Sequence, residues 1–252
     1  MKNILEVNKL YNQDCIQFMK TLPDNYIDLI VADPPYNIGK DYNNNSDKQS
    51  NEEYLLFIKK QIAEYYRILS ENGTLIIYTG KQYNPYYNIE IQQQFIIQNN
   101  IIWFYDSSGV QAKSKYGSLY EPITYATKSK KYTFNLSEAQ IESYTGSVRK
   151  LIDYRKTPPQ PYNTIKNCGD VWYFPRVRFR MGEYTNHPTQ KPLSISERII
   201  KVHSNENDIV YIPFAGSGSE IENCILNNRK WLATELNKEY IDDIIIPRIN
   251  KQ

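Results

Sequence analysis

The apolar positions of this chain follow two periods that alternate along its length. Ile27-Asp28-Leu29-Ile30-Val31-Ala32 is a nearly unbroken apolar run of strand length, the pattern of a strand buried on both faces. From Asn51 to Leu69 the period changes. Leu55, Ile58, Ile62, Tyr65 and Leu69 recur at helical spacing, and Asn72-Gly73 supplies a stop. Leu75-Ile76-Ile77-Tyr78 predicts the next strand. A helix over 89–98, strands over 101–105 and 122–127, and a helix over 137–152 are predicted in turn. The rhythm returns with a helix over 193–203, a strand over 208–212, a helix over 220–227, a strand over 230–234 and an amphipathic helix over 239–250. Near the start, a strand end at Lys9 to Tyr11 precedes a helical turn that Asp14 is placed to cap. Strand, helix, strand units of this kind imply an α/β fold around a mostly parallel, doubly wound sheet.

The regularity falters in the middle. Thr157-Pro158-Pro159-Gln160-Pro161 breaks any element, because each proline fixes φ and removes a donor. Val171 to Arg180 interleaves aromatics with Arg176, Arg178 and Arg180, which share one face if the stretch is extended. Charge sharpens this picture. The 252-residue chain has a net charge of only +2, yet residues 106–181 hold 13 Lys and Arg against 6 Asp and Glu, a balance of +7. A single domain spanning 1–252 with a basic insertion at 106–181 accounts for both observations. Charge alone fits that insertion equally to a phosphate backbone, as an electrostatic footprint, and to a solvated, charged surface. The 23 tyrosines supply flat faces that suit nucleic-acid contacts, though AT-rich coding alone explains much of their number. Cys15, Cys168 and Cys224 stand far apart, so neither a zinc site nor a disulfide framework is expected, and no metal is called for. The residues around Met1 to Glu6 lack a signal-peptide core and no apolar run is of membrane-spanning length, which points to a cytoplasmic protein.

Two stretches carry chemistry. Asp33-Pro34-Pro35-Tyr36 closes the first long strand. By average residue usage it arises by chance in about one chain of this length in a thousand. The prolines make a stiff turn that offers carboxylate and carbonyl acceptors beside an aromatic ring, a cradle for a planar amino group. The polar loop 37–51 beside it has the length of a lid or binding loop. The second stretch is Pro213-Phe214-Ala215-Gly216-Ser217-Gly218, a glycine loop between a strand and a helix, with Glu235 at the end of the following strand. Glycines let a ligand approach the backbone, and an acid at that position binds ribose hydroxyls. Gly218 is followed by Ser219-Glu220, which lacks the lysine of a phosphate-binding loop and places a negative charge where a pyrophosphate would lie. A nucleoside cofactor without phosphate, S-adenosylmethionine foremost, fits better.

With these residues in this order, the sequence resembles the β-group of S-adenosylmethionine-dependent DNA amino-methyltransferases, close to the adenine-N6 enzymes of restriction-modification systems. The resemblance rests on Asp14-Cys15, Asp33 to Tyr36, His187 to Pro192, Pro213 to Gly218 and Glu235, with the catalytic motif first and the cofactor loop last. It implies a circularly permuted class I (Rossmann-like) methyltransferase fold, with a target-recognition region at about 136–170. It implies that Pro213, Phe214, Ala215, Gly216, Ser217 and Gly218 cradle the cofactor, Phe214 and the two glycines beside its methionine. Glu235 would hold the ribose, Asp14 and Cys15 the adenine, and Lys191 the carboxylate, with Asp33 also counted among the cofactor-binding residues. Asp33, Pro34, Pro35 and Tyr36 would hold the target base. Asp33 and the Pro34 carbonyl would accept its two N–H bonds, and Tyr36 would stack on it once it has flipped from the duplex. Lys166, Arg176, Arg178 and Arg180 are the candidate DNA contacts. Double-stranded DNA, a cognate restriction endonuclease and a second copy of the chain are the partners implied, in a prokaryotic, phage or plasmid setting. The chain departs from the pattern at Ile212, where the family often has Asp, and at Ser219-Glu220, where it often has Thr-Thr. Cytosine-N4 methylation and a DNA-binding pseudoenzyme are the alternatives. Asp rather than Ser at position 33 argues for adenine.

Overall fold

A computed structural model describes residues 6–40, 47–106, 113–114 and 116–251. The first residues, the middle of the polar loop 37–51 and the start of the basic insertion lie outside the described residues. The chain runs β1 (Lys9–Tyr11), α1 (Cys15–Met19), β2 (Ile27–Ala32), α2 (Asn51–Ile68), β3 (Leu69–Tyr78), α3 (Asn84–Gln92), β4 (Ile96–Phe104) and β5 (Tyr120–Thr127). The basic stretch 106–181, which already holds β5, continues as short strands β6 (Gln140–Glu142), β7 (Ile152–Asp153), β8 (Gln160–Pro161), β9 (Ile165–Asn167) and β10 (Val171–Tyr173). The last third holds α4 (Leu193–His203), β11 (Ile209–Ile212), α5 (Ser219–Leu226), β12 (Lys230–Thr234), α6 (Lys238–Tyr240) and α7 (Ile246–Ile249).

Eight strands form one sheet in the order β1-β12-β11-β2-β3-β5-β4-β10. Every pairing is parallel except those of β5, which runs against β3 and β4. The sheet is doubly wound. Leu29 and Val31 of β2 point to one face, beneath Ile195 and Ile199 of α4 and Ile221 of α5. Ile30 and Ala32 point to the other, beneath Ile58, Ile62 and Tyr65 of α2. Because both faces are covered, β2 reads as an apolar run rather than an alternation. Chain order reverses where β11 lies beside β2, and the two stretches singled out above leave the sheet at that switch point.

Several elements differ from the sequence expectation. α2 has its capping box, with Ser50 and Glu53 each accepting from the other's backbone N–H, but it passes directly into β3 at Leu69. Asn72-Gly73 sits inside β3, where the pairing with β2 shifts register, and not at a helix end. A Cβ on Gly73 would stand 2.6 Å from Leu69 Cγ, so the close approach excludes larger residues. α3 lies earlier than expected because Pro85 favours the first helical turn, and β-branched Ile96 and Ile97 already pair with β5. The expected helix over 137–152 is absent. A 3-10 turn (Leu136–Ala139), β6, a π turn (Tyr144–Val148) and β7 occupy it. Ser143 Oγ accepts from Gly146 N there, a local bond that competes with a helix. The final helix is split into α6, a π turn (Ile241–Ile245) and α7, since Pro247 has no N–H to donate. Among the described residues no helix is long and apolar enough to cross a membrane.

Candidate active site

Four neighbouring parallel strands, β1, β12, β11 and β2, end on the same cavity of about 530 Å³. Each delivers part of its wall: Asp14 and Cys15 after β1, Glu235 after β12, Pro213 and Phe214 after β11, and Asp33 after β2. Residues at the carboxyl ends of parallel strands at a switch point are held by the whole sheet, which gives the wall its rigidity.

Glu235 anchors the nucleoside half. Its Oε2 accepts from Gly216 N at 2.9 Å and its Oε1 from Asn237 N at 2.9 Å. Burial raises its pKa, and the backbone N–H groups of Asn237 and Gly216 oppose that rise. Gly216 adopts φ +52°, and a Cβ there would stand 3.1 Å from the His187 ring. Backbone and acid thus make a cradle that a side chain would fill. Asp14 caps α1 by accepting from Gln17 N. Burial, with Asp14 adding to it, pushes the Cys15 thiol up to about 12, so it lines the cavity without being a nucleophile. Ala215, Ser217 and Gly218 do not line the cavity. Ala215 packs in the core, Ser217 bonds to Ser219, and Gly218 turns the chain into α5 at φ +76°. Of the six loop residues, Pro213, Phe214 and Gly216 line the cavity. Ile212 is buried in the sheet's core.

The Asp33 to Tyr36 turn closes the other half. Lys191 Nζ lies 2.6 Å from Asp33 Oδ2 and 3.6 Å from Glu121 Oε2. The Tyr36 hydroxyl lies 3.0 Å from Asp33 Oδ1 and 2.9 Å from Glu121 Oε2. Burial raises the Asp33 pKa, Lys191 opposes that rise, and Glu121 adds to it. Burial lowers the Lys191 pKa, but Asp33 and Glu121 more than offset it and hold the ammonium above the ordinary lysine range. The Pro35 carbonyl accepts from Tyr54 OH at 2.6 Å, which fixes the turn from α2. The Pro34 carbonyl takes no protein donor among the described residues, so it remains an available acceptor. The ends of the polar loop fold onto this half: Asp47 accepts from the Ile38 and Lys40 amides, and Asp47 and Gln49 line the cavity.

Sequence reasoning missed Glu121. It is an isolated acid at the head of an apolar strand, the mirror of Asp33 at the foot of one, and only the antiparallel direction of β5 brings it to the same edge. Burial and the nearby cations Lys191 and Arg248 lower the His187 pKa to about 3, so its imidazole stays neutral in the cavity wall. The three arginines do not share one face. Only Val171–Tyr173 is a strand, and a turn from Arg178 to Met181, with Arg180 at φ +74°, redirects the chain. Arg176 lines the cavity and stacks over Tyr105 at 5.1 Å. Arg178 and Arg180 are exposed outside it, and Lys166 stands exposed on β9 in a separate two-stranded ribbon.

This geometry coincides with recognisable relatives. A family model described as DNA methylase, of the N6/N4 type, matches residues 27–246. The chain is 45% identical over 237 residues to the DNA adenine methyltransferase YhdJ of Escherichia coli, covering 94% of this chain and 81% of that protein. It is 36% identical over 237 residues to the type II methyltransferase M.HpaI of Haemophilus parainfluenzae, covering 93% and 72%. Among solved structures, the M1.HpyAVI–SAM complex superposes with a TM-score of 0.67 at 25% identity, covering 96% of this chain and 98% of that one. With that match running from β2 to the start of the last helix, the chain belongs to the N6/N4 DNA methylase family.

Proposed function

We propose that this protein is a site-specific DNA methyltransferase that methylates N6 of an adenine flipped out of double-stranded DNA, with S-adenosylmethionine as cofactor. The observation that carries the reading is the shared cavity. Asp33 and the Pro34 carbonyl lie on one wall, and the Glu235–Gly216 cradle lies on another. When bound, S-adenosylmethionine supplies an electrophilic methyl group. Glu235 is suited to ribose hydroxyls, Asp14 and Cys15 to the adenine, Phe214 and Gly216 to the methionine stem, and Lys191 to its carboxylate.

The target nitrogen is a weak nucleophile because its lone pair is delocalised into the ring. Two acceptors held rigidly, Asp33 and the Pro34 carbonyl, bind its N–H groups and favour a pyramidal nitrogen with its lone pair free. The remainder of the rate comes from positioning. Tyr36 offers a face for stacking. Asp33 and the adenine methyltransferase at 45% identity both favour adenine over cytosine. The basic insertion, with about 136–170 as target-recognition region, supplies the DNA-facing surface together with Lys166, Arg178 and Arg180. The type II names among the relatives support a companion endonuclease of the same specificity and a cytoplasmic setting in a bacterial or phage host. A homodimer is part of the same reading.

Asp33→Ala tests it. The variant should transfer no labelled methyl to DNA while its cofactor affinity persists, and retained turnover would remove Asp33 from the chemistry. Mapping modified bases in DNA from cells expressing the chain would report base and recognition sequence together.

A further inference from the structure

Methylation of an exocyclic amine leaves a proton to dispose of. The nitrogen lone pair forms the new N–C bond, the methyl–sulfur pair departs with sulfur, and the nitrogen is left cationic until one N–H proton leaves. Asp33 is the acceptor in contact with that proton, and it must be ionised again before the next base arrives.

The Tyr36 hydroxyl stands between two carboxylates, 3.0 Å from Asp33 Oδ1 and 2.9 Å from Glu121 Oε2. A phenol carries one proton, and an ionised carboxylate carries none. The hydroxyl therefore satisfies one carboxylate, and its second contact sets lone pair against lone pair until another proton is present. Asp33, Tyr36 and Glu121 together have a place for one more proton than they hold. The other groups around them do not compete for it. Lys191 is firmly protonated between the two acids, His187 is too weak a base, and Tyr36 itself is held neutral by burial and both acids. Tyr105 OH approaches Glu121 Oε1 at 3.5 Å, and Arg176 covers the Tyr105 ring. Glu121 lines the cavity.

We propose that Glu121 is the terminal acceptor of the proton lost by the target amino group, reached from Asp33 through the Tyr36 hydroxyl. The N–H proton passes to Asp33 and its bonding pair returns to nitrogen. Tyr36 takes the Asp33 proton as it gives its own to Glu121. Asp33 is again ionised, and Glu121 loses the proton to water when the site opens. The relay rests on the reading of Asp33 as acceptor for the target amine.

Quenched-flow methylation tests it, with methyl transfer followed through the first turnover and the steady state, and proton release followed with a pH indicator. In Glu121→Gln and Tyr36→Phe, the ratio of steady-state to first-turnover rate should fall at least about tenfold. The slow phase should show a solvent isotope effect, and proton release should lag methyl transfer. Added formate should restore turnover to Glu121→Ala but not to Asp33→Ala. Cofactor affinity measured by calorimetry serves as the check that each variant is folded. An unchanged ratio in both Glu121→Gln and Tyr36→Phe overturns the relay, as does a slow phase insensitive to D2O and formate. A wild-type chain that transfers no methyl to DNA overturns the underlying reading and the relay with it.

Discussion

Lys191 Nζ lies 2.6 Å from Asp33 Oδ2, and the two residues are 158 positions apart in the chain. The pair ties the segment before α4 to the end of β2, and Lys191 also packs its ammonium over the Tyr36, Tyr78 and Trp103 rings. A lone lysine faces two acids here, so its removal leaves both without their ion-pair partner. Lys191→Met should destabilise the protein by about 3 kcal/mol at pH 8, toward the low end for a broken buried pair because Asp33 keeps some exposure. The sign with pH follows from Asp33. Its folded pKa is already raised, and loss of the ammonium raises it further. The folded carboxylate then costs stability at high pH, and the cost fades as pH falls and the acid takes a proton. Urea denaturation at pH 5 and pH 8 checks this, and an equal loss at both would contradict it.

Glu235→Gln keeps the shape of the side chain but replaces one acceptor oxygen with a donor. Glu235 accepts from the Gly216 and Asn237 amides, so the amide nitrogen of glutamine must face a backbone N–H or turn away from the cradle. Affinity for S-adenosylmethionine should weaken by about 10- to 100-fold, the cost of one lost charge-assisted bond. Calorimetric titration of the variant measures it. A dissociation constant equal to that of the wild type would place the ribose elsewhere.

The parts of this site that were legible in the sequence are those that end strands. Asp33 and Glu235 follow apolar runs, and the cofactor loop joins a strand to a helix, so local pattern alone puts them at one edge of a parallel sheet. Glu121 escaped because its strand is antiparallel: its head, not its foot, lies at the carboxyl edge. Nothing local announces strand direction. The insertion escaped for another reason. Beyond β5 its strands are two or three residues long and are set by pairing with distant partners, as Trp172 pairs with Trp103, so no period has room to develop. In the loop from Pro213 to Gly218 the local pattern does not separate cavity-lining residues from supporting ones. Its pattern marks a ligand cradle, but Ala215, Ser217 and Gly218 serve the core and the entry to α5.

The basic residues outside the cavity should separate from Arg176 in their effect. Lys166, Arg178 and Arg180 are exposed and reach no acid within ion-pair distance among the described residues. If Lys166 and Arg178 each neutralise one phosphate, substitution by alanine lowers the slope of log affinity against log salt by about 0.9 per residue. The loss should be the same for specific and random duplexes. Arg176→Ala, by contrast, removes a cation from the cavity wall and should depress methyl transfer more than binding to random DNA. Fluorescence anisotropy across a salt series distinguishes the two classes, and equal salt slopes in the variants and the wild type would remove Lys166 and Arg178 from the DNA surface.

Glu220 is the least expected acid in the molecule. It opens α5 directly behind the cofactor loop, is 6% exposed, and has one carboxyl oxygen, Oε1, without a hydrogen-bond partner. Burial, with the charge of Asp33 adding to it, raises its pKa from 4.5 to about 7. Between those two values the folded protein keeps a proton that the unfolded chain has released, so stability falls as pH rises through the window and the full cost is present above pH 7. At 1.36 kcal/mol per pKa unit the cost is on the order of 1–3 kcal/mol, since neighbouring acids share it. Glu220→Gln cannot ionise. It should therefore melt several degrees higher than the wild type at pH 8, match it near pH 5, and show a flatter stability profile between them. Thermal melts of the cofactor-free protein across that range decide the matter. Parallel profiles for the two proteins would mean that Glu220 is ionised throughout and is held by something other than burial.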